Sequence, residues 1–184
     1  MEKIVYLFLF CLPLCTSASE TNYWLEPQIA LSKEKSISRI DGGLNGSITD
    51  TIGYYAYGQA ISNGFRQAYG GPNWKPVQWL EVGAGLGGED SSLVIRRNVY
   101  FQATIEKVSI FGTFEQGGSG AYHKVIATYQ LPKRIRVGLM EETFLGRGLR
   151  VEYSINNNTS IWGARLWDRW SDTWNSVVAV SYGF

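Results

Sequence analysis

Apolar and polar residues alternate along most of this chain with a period of two. Between Arg39 and Thr49, Ile40, Leu44 and Ile48 share one face, and Arg39, Asp41, Asn45 and Ser47 share the other. From Leu93 to Ile105, Leu93, Ile95, Val99, Phe101, Ala103 and Ile105 oppose Arg96, Asn98, Gln102 and Thr104. Ile135, Val137 and Leu139 oppose Arg136, Gly138, Met140 and Glu142; Leu149, Val151, Tyr153 and Ile155 oppose Arg150, Glu152, Ser154 and Asn156. The final stretch sets Val178, Val180, Tyr182 and Phe184 against Val177, Ala179, Ser181 and Gly183. This is the period of strands, and no segment carries a helical stripe. Turn-forming residues separate the runs at Ser32–Lys35, 49–50, Gly64–Asn73, Gly87–Ser91, 106–107, Gln116–Gly120, 132–133, Gly146–Gly148, Asn156–Asn158 and Asp168–Trp174. They divide the chain into about eleven strands. The longest connector, Asn63–Trp74, is expected to be a surface loop.

Two all-β architectures share this pattern. A soluble sandwich buries its apolar faces and wets its polar ones, whereas a membrane barrel turns its apolar faces to lipid and its polar ones inward. The polar faces hold charges of both signs: Arg39 with Asp41, Glu81, Arg96, Arg136 with Glu142, Arg150 with Glu152, and Arg165. These are the expected lumen charges of a barrel. Aromatic residues gather near segment ends, where Trp24, Trp74, Trp79, Trp167, Trp170 and Trp174 fit interfacial girdles.

The alternation from Val178 through Val180 and Tyr182 to Phe184 resembles the aromatic-ended final strand of bacterial outer-membrane β-barrel proteins. The resemblance is to the class and identifies no narrower family. It implies an antiparallel transmembrane up-and-down β-barrel of residues 19–184, contact with outer-membrane lipids, and recognition of that strand by the outer-membrane barrel assembly machinery. Bacterial barrels have even strand numbers, so the count should be ten or twelve with short loops. Eight would require several of the turns to be glycines within strands.

Composition adds an export signal. Lys3, the apolar run Ile4–Leu14 and the small residues Thr16, Ser17 and Ala18 read as a cleaved secretory signal peptide over residues 1–18. Bulky Leu14 argues against acylation of Cys15 as a lipoprotein. Cys11 and Cys15 both fall in the signal, leaving the mature chain without a disulfide or a cysteine metal site. A net charge of +1 makes no case for nucleic acid, and no motif implies a cofactor. The glycines of Gly83–Gly88 lack the following helix of a nucleotide loop.

Three readings follow. The leading one is a non-enzymatic outer-membrane barrel, structural or forming a narrow channel for small polar solutes, with the lumen charges acting as plug or pathway. The second is an exported soluble domain for adhesion or ligand binding; a sugar site at Trp162, Trp167, Trp170 and Trp174 would belong to it. The third is a lipid-acyl-modifying barrel built on the single histidine, His123. Such chemistry needs a nucleophile within reach of the imidazole. Val125 stands where barrel deacylases carry serine, so Ser119, Ser154 or Ser160 would have to approach through the fold.

Overall fold

A computed structural model describes residues 19–33, 36–90 and 92–184, so the expected signal peptide lies outside the described residues. Twelve strands follow one another: β1 (Ser19–Leu31), β2 (Ser36–Ser47), β3 (Ile52–Ile61), β4 (Arg66–Val77), β5 (Leu80–Glu89), β6 (Ser92–Ile105), β7 (Val108–Gly117), β8 (Gly120–Gln130), β9 (Ile135–Glu142), β10 (Gly146–Ser154), β11 (Thr159–Asp168) and β12 (Thr173–Gly183). Each pairs antiparallel with its sequence neighbours, and β1 pairs with β12 to close the barrel. The soluble sandwich is thereby ruled out.

The expected loop at Gly64–Asn73 is instead most of β4. Gly70, Gly71 and Pro72 look like turn residues, yet they continue the ladder opposite Ala56, Tyr55 and Tyr54 of β3. The true turn precedes them, where Asn63 Oδ1 accepts from Phe65 N at 3.0 Å and Gly64 takes a positive φ of 96°. The turn missed in sequence lies between β4 and β5, at Gln78 and Trp79. It contains no glycine, proline, asparagine or aspartate to mark it, and it raises eleven strands to twelve. Similarly, Gly146–Gly148 begins β10 rather than forming the turn before it.

The barrel is inside-out relative to a soluble fold. Leu25, Ile29, Ile40, Leu86, Val99, Leu139, Leu149, Val151 and Val178 are exposed on the outer wall. Arg39, Asp41, Arg96, Glu115, Lys124, Glu142, Arg150 and Glu152 are buried inside. Strands of 8–14 residues match the roughly 9–11 tilted residues that cross a bilayer. Exposed aromatics edge both ends: Tyr23, Trp74, Trp79 and Tyr182 at the near end, which carries the β2–β3 and β4–β5 turns, and Phe144, Trp170 and Trp174 at the far end.

At the closing seam, Tyr23 and Phe184 exchange both backbone hydrogen bonds at 2.9 Å, and their rings stack 5.8 Å apart. The β1–β12 ladder skips Glu26 and Pro27, since proline has no N–H to give. Inside the gap, the Glu26 carboxylate accepts from Ser181 Oγ of β12 and from Trp162 Nε1 of β11 at 2.9 Å. A side chain thus fastens the seam where the backbone ladder is interrupted.

Close strand approach supplies a test of packing. A Cβ on Gly138 would stand 1.9 Å from the backbone oxygen of Ala127 in the neighbouring strand. Gly138→Ala is expected to cost about 1–3 kcal/mol by overpacking. The expected result is a lower temperature at which the compact, unboiled gel band converts to the unfolded one.

Candidate functional site

The chemistry of this barrel is concentrated in its lumen. Alternation sends Glu26 and Gln28 of β1, Arg39 and Asp41 of β2, and Gln59 of β3 inward. Gln67 of β4, Arg96 of β6, Glu115 of β7, Lys124 of β8 and Glu142 of β9 meet them there. An isolated ion in a dry interior is prohibitively costly, so these groups must find one another.

They do so in a belt. Arg96 Nη1 lies 2.6 Å from Glu89 Oε2, and its Nη2 lies 2.8 Å from Glu115 Oε2. Glu115 also accepts from Tyr69 OH at 2.9 Å and Gln67 Nε2 at 3.1 Å. Gln67 continues to Gln59, Gln59 donates to Asp41 at 3.0 Å, and Gln28 donates to Asp41 at 2.8 Å. Arg39 donates to Gln28 at 2.5 Å and pairs with Glu142, which also accepts from Tyr122 OH at 3.0 Å. The Arg39–Glu142 pair joins β2 to β9, nearly opposite walls of the ring. Tyr69 and Glu115 span β4 to β7, and Tyr55 OH donates to Asn98 from β3 to β6 at 2.7 Å. Side chains therefore bridge the lumen directly.

Two cavities flank the belt. The far one, about 400 Å³, has Arg39, Gln59, Gln67, Arg96 and Glu142 as its floor and Ile37, Ile61, Phe65 and Leu145 on its walls. The near one, about 330 Å³, is lined by Glu26, Asp41, Glu115, Lys124 and Arg150 together with Trp24, Tyr55, Tyr57 and Tyr69. Tyr122 lines both. The tyrosines lie close against β5: a Cβ on Gly83 would be 2.2 Å from the Tyr100 ring, and one on Gly85 2.4 Å from Tyr55 OH. Those glycines make room for aromatic rings. Across from them the lumen wall is apolar, with Met140, Trp162, Ala164, Leu166, Val177 and Ala179 packed together.

Most of the lumen charges singled out in sequence line this interior. Glu81 accepts from Tyr100 OH at 2.5 Å and pairs with Lys75 at 3.2 Å near the end of the barrel. Glu152 holds Arg150 at 3.0 Å and the half-exposed Arg136 at 3.2 Å. Arg165 is different. It lies on the outer face, where its guanidinium donates to Ser176 Oγ at 2.5 Å and sits over the Trp174 ring. The inward positions of β11 are Trp162, Ala164 and Leu166, so the charge follows the opposite phase. Trp24 is corrected in the other direction: it points inward, 6.0 Å from Tyr57, because Tyr23 and Leu25 hold the outer face. Trp74, Trp79, Trp170 and Trp174 are exposed at the rims, and Trp167 packs on Trp174 at 5.2 Å. Val178, Val180, Tyr182 and Phe184 form the exposed outer row of the closing strand.

Glu26, Gln28, Gln59, Gln67, Glu89, Glu115 and Lys124 also belong to the network, beyond the lumen charges expected from sequence. Pro27 interrupts the β1–β12 ladder, and Gln67 falls within the segment expected to be a loop. For Glu115, the alternation of Thr113 and Glu115 with Phe114 would have sufficed.

His123 lies near the far end, its ring 6.4 Å from Phe114. Its Nδ1 is 2.9 Å from Thr143 Oγ1, and its Nε2 is 3.5 Å from Glu141 Oε1. Thr143 Oγ1 also accepts from His123 N at 2.8 Å, an arrangement that locks the end of the β8–β9 ladder. Ser119 is engaged in the lumen with Glu89 and Arg96. Ser154 and Ser160 pair with each other at the near end. None of the three serines is brought to the imidazole.

Among solved structures, the KdgM porin matches with a TM-score of 0.60 and 11% identity, covering 88% of this chain and 99% of that one. The same porin in complex with disordered oligogalacturonate matches equally. The NanC porin matches with a TM-score of 0.54 and 11% identity, over 86% of this chain and 98% of that one. No protein-family model and no curated protein sequence matches. The fold is that of bacterial outer-membrane porins, a closed β-barrel of the transmembrane type.

The belt makes the arginines unequal. Arg96→Ala removes the guanidinium shared by Glu89 and Glu115 and is expected to cost about 3–5 kcal/mol. Arg136→Ala leaves Glu152 still paired with Arg150 and should cost less than about 1 kcal/mol. Thermal unfolding of the two variants in the same detergent measures the difference.

Proposed function

We propose that this chain is an integral protein of the bacterial outer membrane that forms a narrow channel for small polar solutes and carries out no catalysis. One observation carries the reading: Arg39 and Glu142 meet across the lumen, with a cavity on each side of their belt. A solute entering either cavity can proceed only where belt partners separate, so the belt is a size and polarity filter. The porin fold and the apolar outer wall with aromatic rims support residence among outer-membrane lipids. The row Val178, Val180, Tyr182 and Phe184 supports recognition by the barrel assembly machinery.

Planar-bilayer recording tests the channel. Wild-type protein should show small or infrequent conductance. The double variant Arg39→Ala, Glu142→Ala removes both partners of the bridge together, leaves Asp41 held by Gln28 and Gln59, and should conduct several-fold more. Free passage of large sugars by the wild type, or unchanged conductance in the variant, would overturn the filter.

Two further variants examine the rest of the reading. His123→Ala should leave envelope lipid composition unchanged, because the Thr143 hydroxyl is held by backbone groups of the ladder. Altered acyl chains would instead reveal catalysis. Replacing Phe184 with aspartate should lower the amount of barrel in the outer membrane while leaving export intact, read by fractionation and heat-dependent gel mobility.

A further inference from the structure

We propose that the near cavity contains an oxyanion site, built by Lys124 and Arg150 beside the Trp162 indole, which takes the carboxylate of a small solute. The inference deepens the channel reading by assigning a substrate class. Counting charges alone would suggest the reverse, because Glu26, Asp41 and Glu115 line the same cavity. Hydrogen-bonding capacity decides the matter. Glu26 accepts from Gln28, Trp162 and Ser181. Asp41 accepts from Gln28 and Gln59, and Glu115 accepts from Tyr69, Gln67 and Arg96. The carboxylates are occupied.

The two cations are not. Lys124 Nζ stands 3.9 Å from Glu26 and 3.9 Å from Glu142, beyond hydrogen-bond distance of either. Arg150 spends Nη2 on Glu152, while its buried Nε has no partner among the described residues. Both residues are more than nine-tenths buried, at 8% and 7% exposure, and both face one ring, Arg150 at 3.9 Å and Lys124 at 5.8 Å from the Trp162 centroid. Glu142 keeps Arg39 and Glu152 keeps Arg136 when the two cations turn to a ligand, while Lys124 still faces Glu26 across 3.9 Å. Buried donors left with capacity beside a cavity are matched by an acceptor that arrives from outside. A carboxylate suits a guanidinium fork and an ammonium together. Tyr55, Tyr57 and Tyr69 line the same cavity and give the body of the solute aromatic surroundings.

Titration calorimetry on the folded barrel in neutral detergent tests the site without requiring conduction. The probes are sodium benzoate, phenyl phosphate and benzylammonium chloride. Benzoate should bind wild type saturably and benzylammonium should not. Arg150→Gln and Lys124→Gln should each weaken benzoate about tenfold, the loss of one charge-assisted contact, while retaining heat-dependent gel mobility. Should Arg150→Gln fail to fold, Arg150→Lys keeps the charge without the fork and should also bind benzoate more weakly. Absence of saturable benzoate binding, tighter binding of benzylammonium, or benzoate binding unchanged in the folded variants would overturn the site. Preference for phenyl phosphate would overturn its assignment to carboxylates. Benzoate binding combined with unchanged conductance in the belt variant would sink the channel and leave the site standing; altered conductance without benzoate binding would do the opposite.

Discussion

Everything in this molecule follows from closure of the backbone ladder. In hydrocarbon, an unpaired N–H or C=O costs several kcal/mol, so a sheet can cross only if its last strand returns to its first. The exchange between Tyr23 and Phe184 performs that closure, with Glu26 tying the seam from inside where Pro27 interrupts it. Closure also forces alternation to sort the chain by polarity. One phase of each strand meets the outer wall, and the other has nowhere to go except the lumen.

Twelve strands make that lumen narrow enough for side chains to bridge it. In a wider barrel, charges on facing walls would each be solvated separately; here Arg39 reaches Glu142 and Tyr69 reaches Glu115. The ion pairs thus do two jobs. They make buried charge tolerable, and they subdivide the interior into two cavities of different character, one with apolar walls and one faced by tyrosines. The occupied carboxylates and the spare donor capacity of Lys124 and Arg150 are properties of this shared network, visible only when donors are matched with acceptors.

The fold departs from the local sequence pattern at a few places, and for one physical reason. Turn residues suggest breaks, but a strand tolerates Gly70, Gly71 and Pro72 when its neighbour continues the ladder. Conversely, the turn at Gln78–Trp79 forms without any residue that favours a turn, because the flanking strands dictate it. Chemical type alone sends Trp24, an aromatic, to the interface and Arg165, a charge, to the lumen. Strand phase overrides type: Trp24 shares the inward phase of Glu26 and Gln28, and Arg165 lies opposite the phase of Trp162 and Leu166. The apolar stretch of lumen wall obeys the same rule, since Val177 and Ala179 hold the inward phase of β12 between the outward residues Val178 and Val180.

By itself, the sequence determined the class. Alternation of period two, charges on one phase and aliphatic residues on the other are local properties, and each is legible within a single strand. They establish strands with one apolar face; the resemblance of the row from Val178 to Phe184 to the final strand of outer-membrane barrels, with their even strand numbers, leads from there to an antiparallel barrel of ten or twelve strands. The tertiary structure decided the strand number and register, which of the polar residues meet, and where hydrogen-bonding capacity is left over. Those outcomes depend on distances between strands far apart in the chain, such as β2 and β9, and no period along the sequence encodes a distance across a lumen.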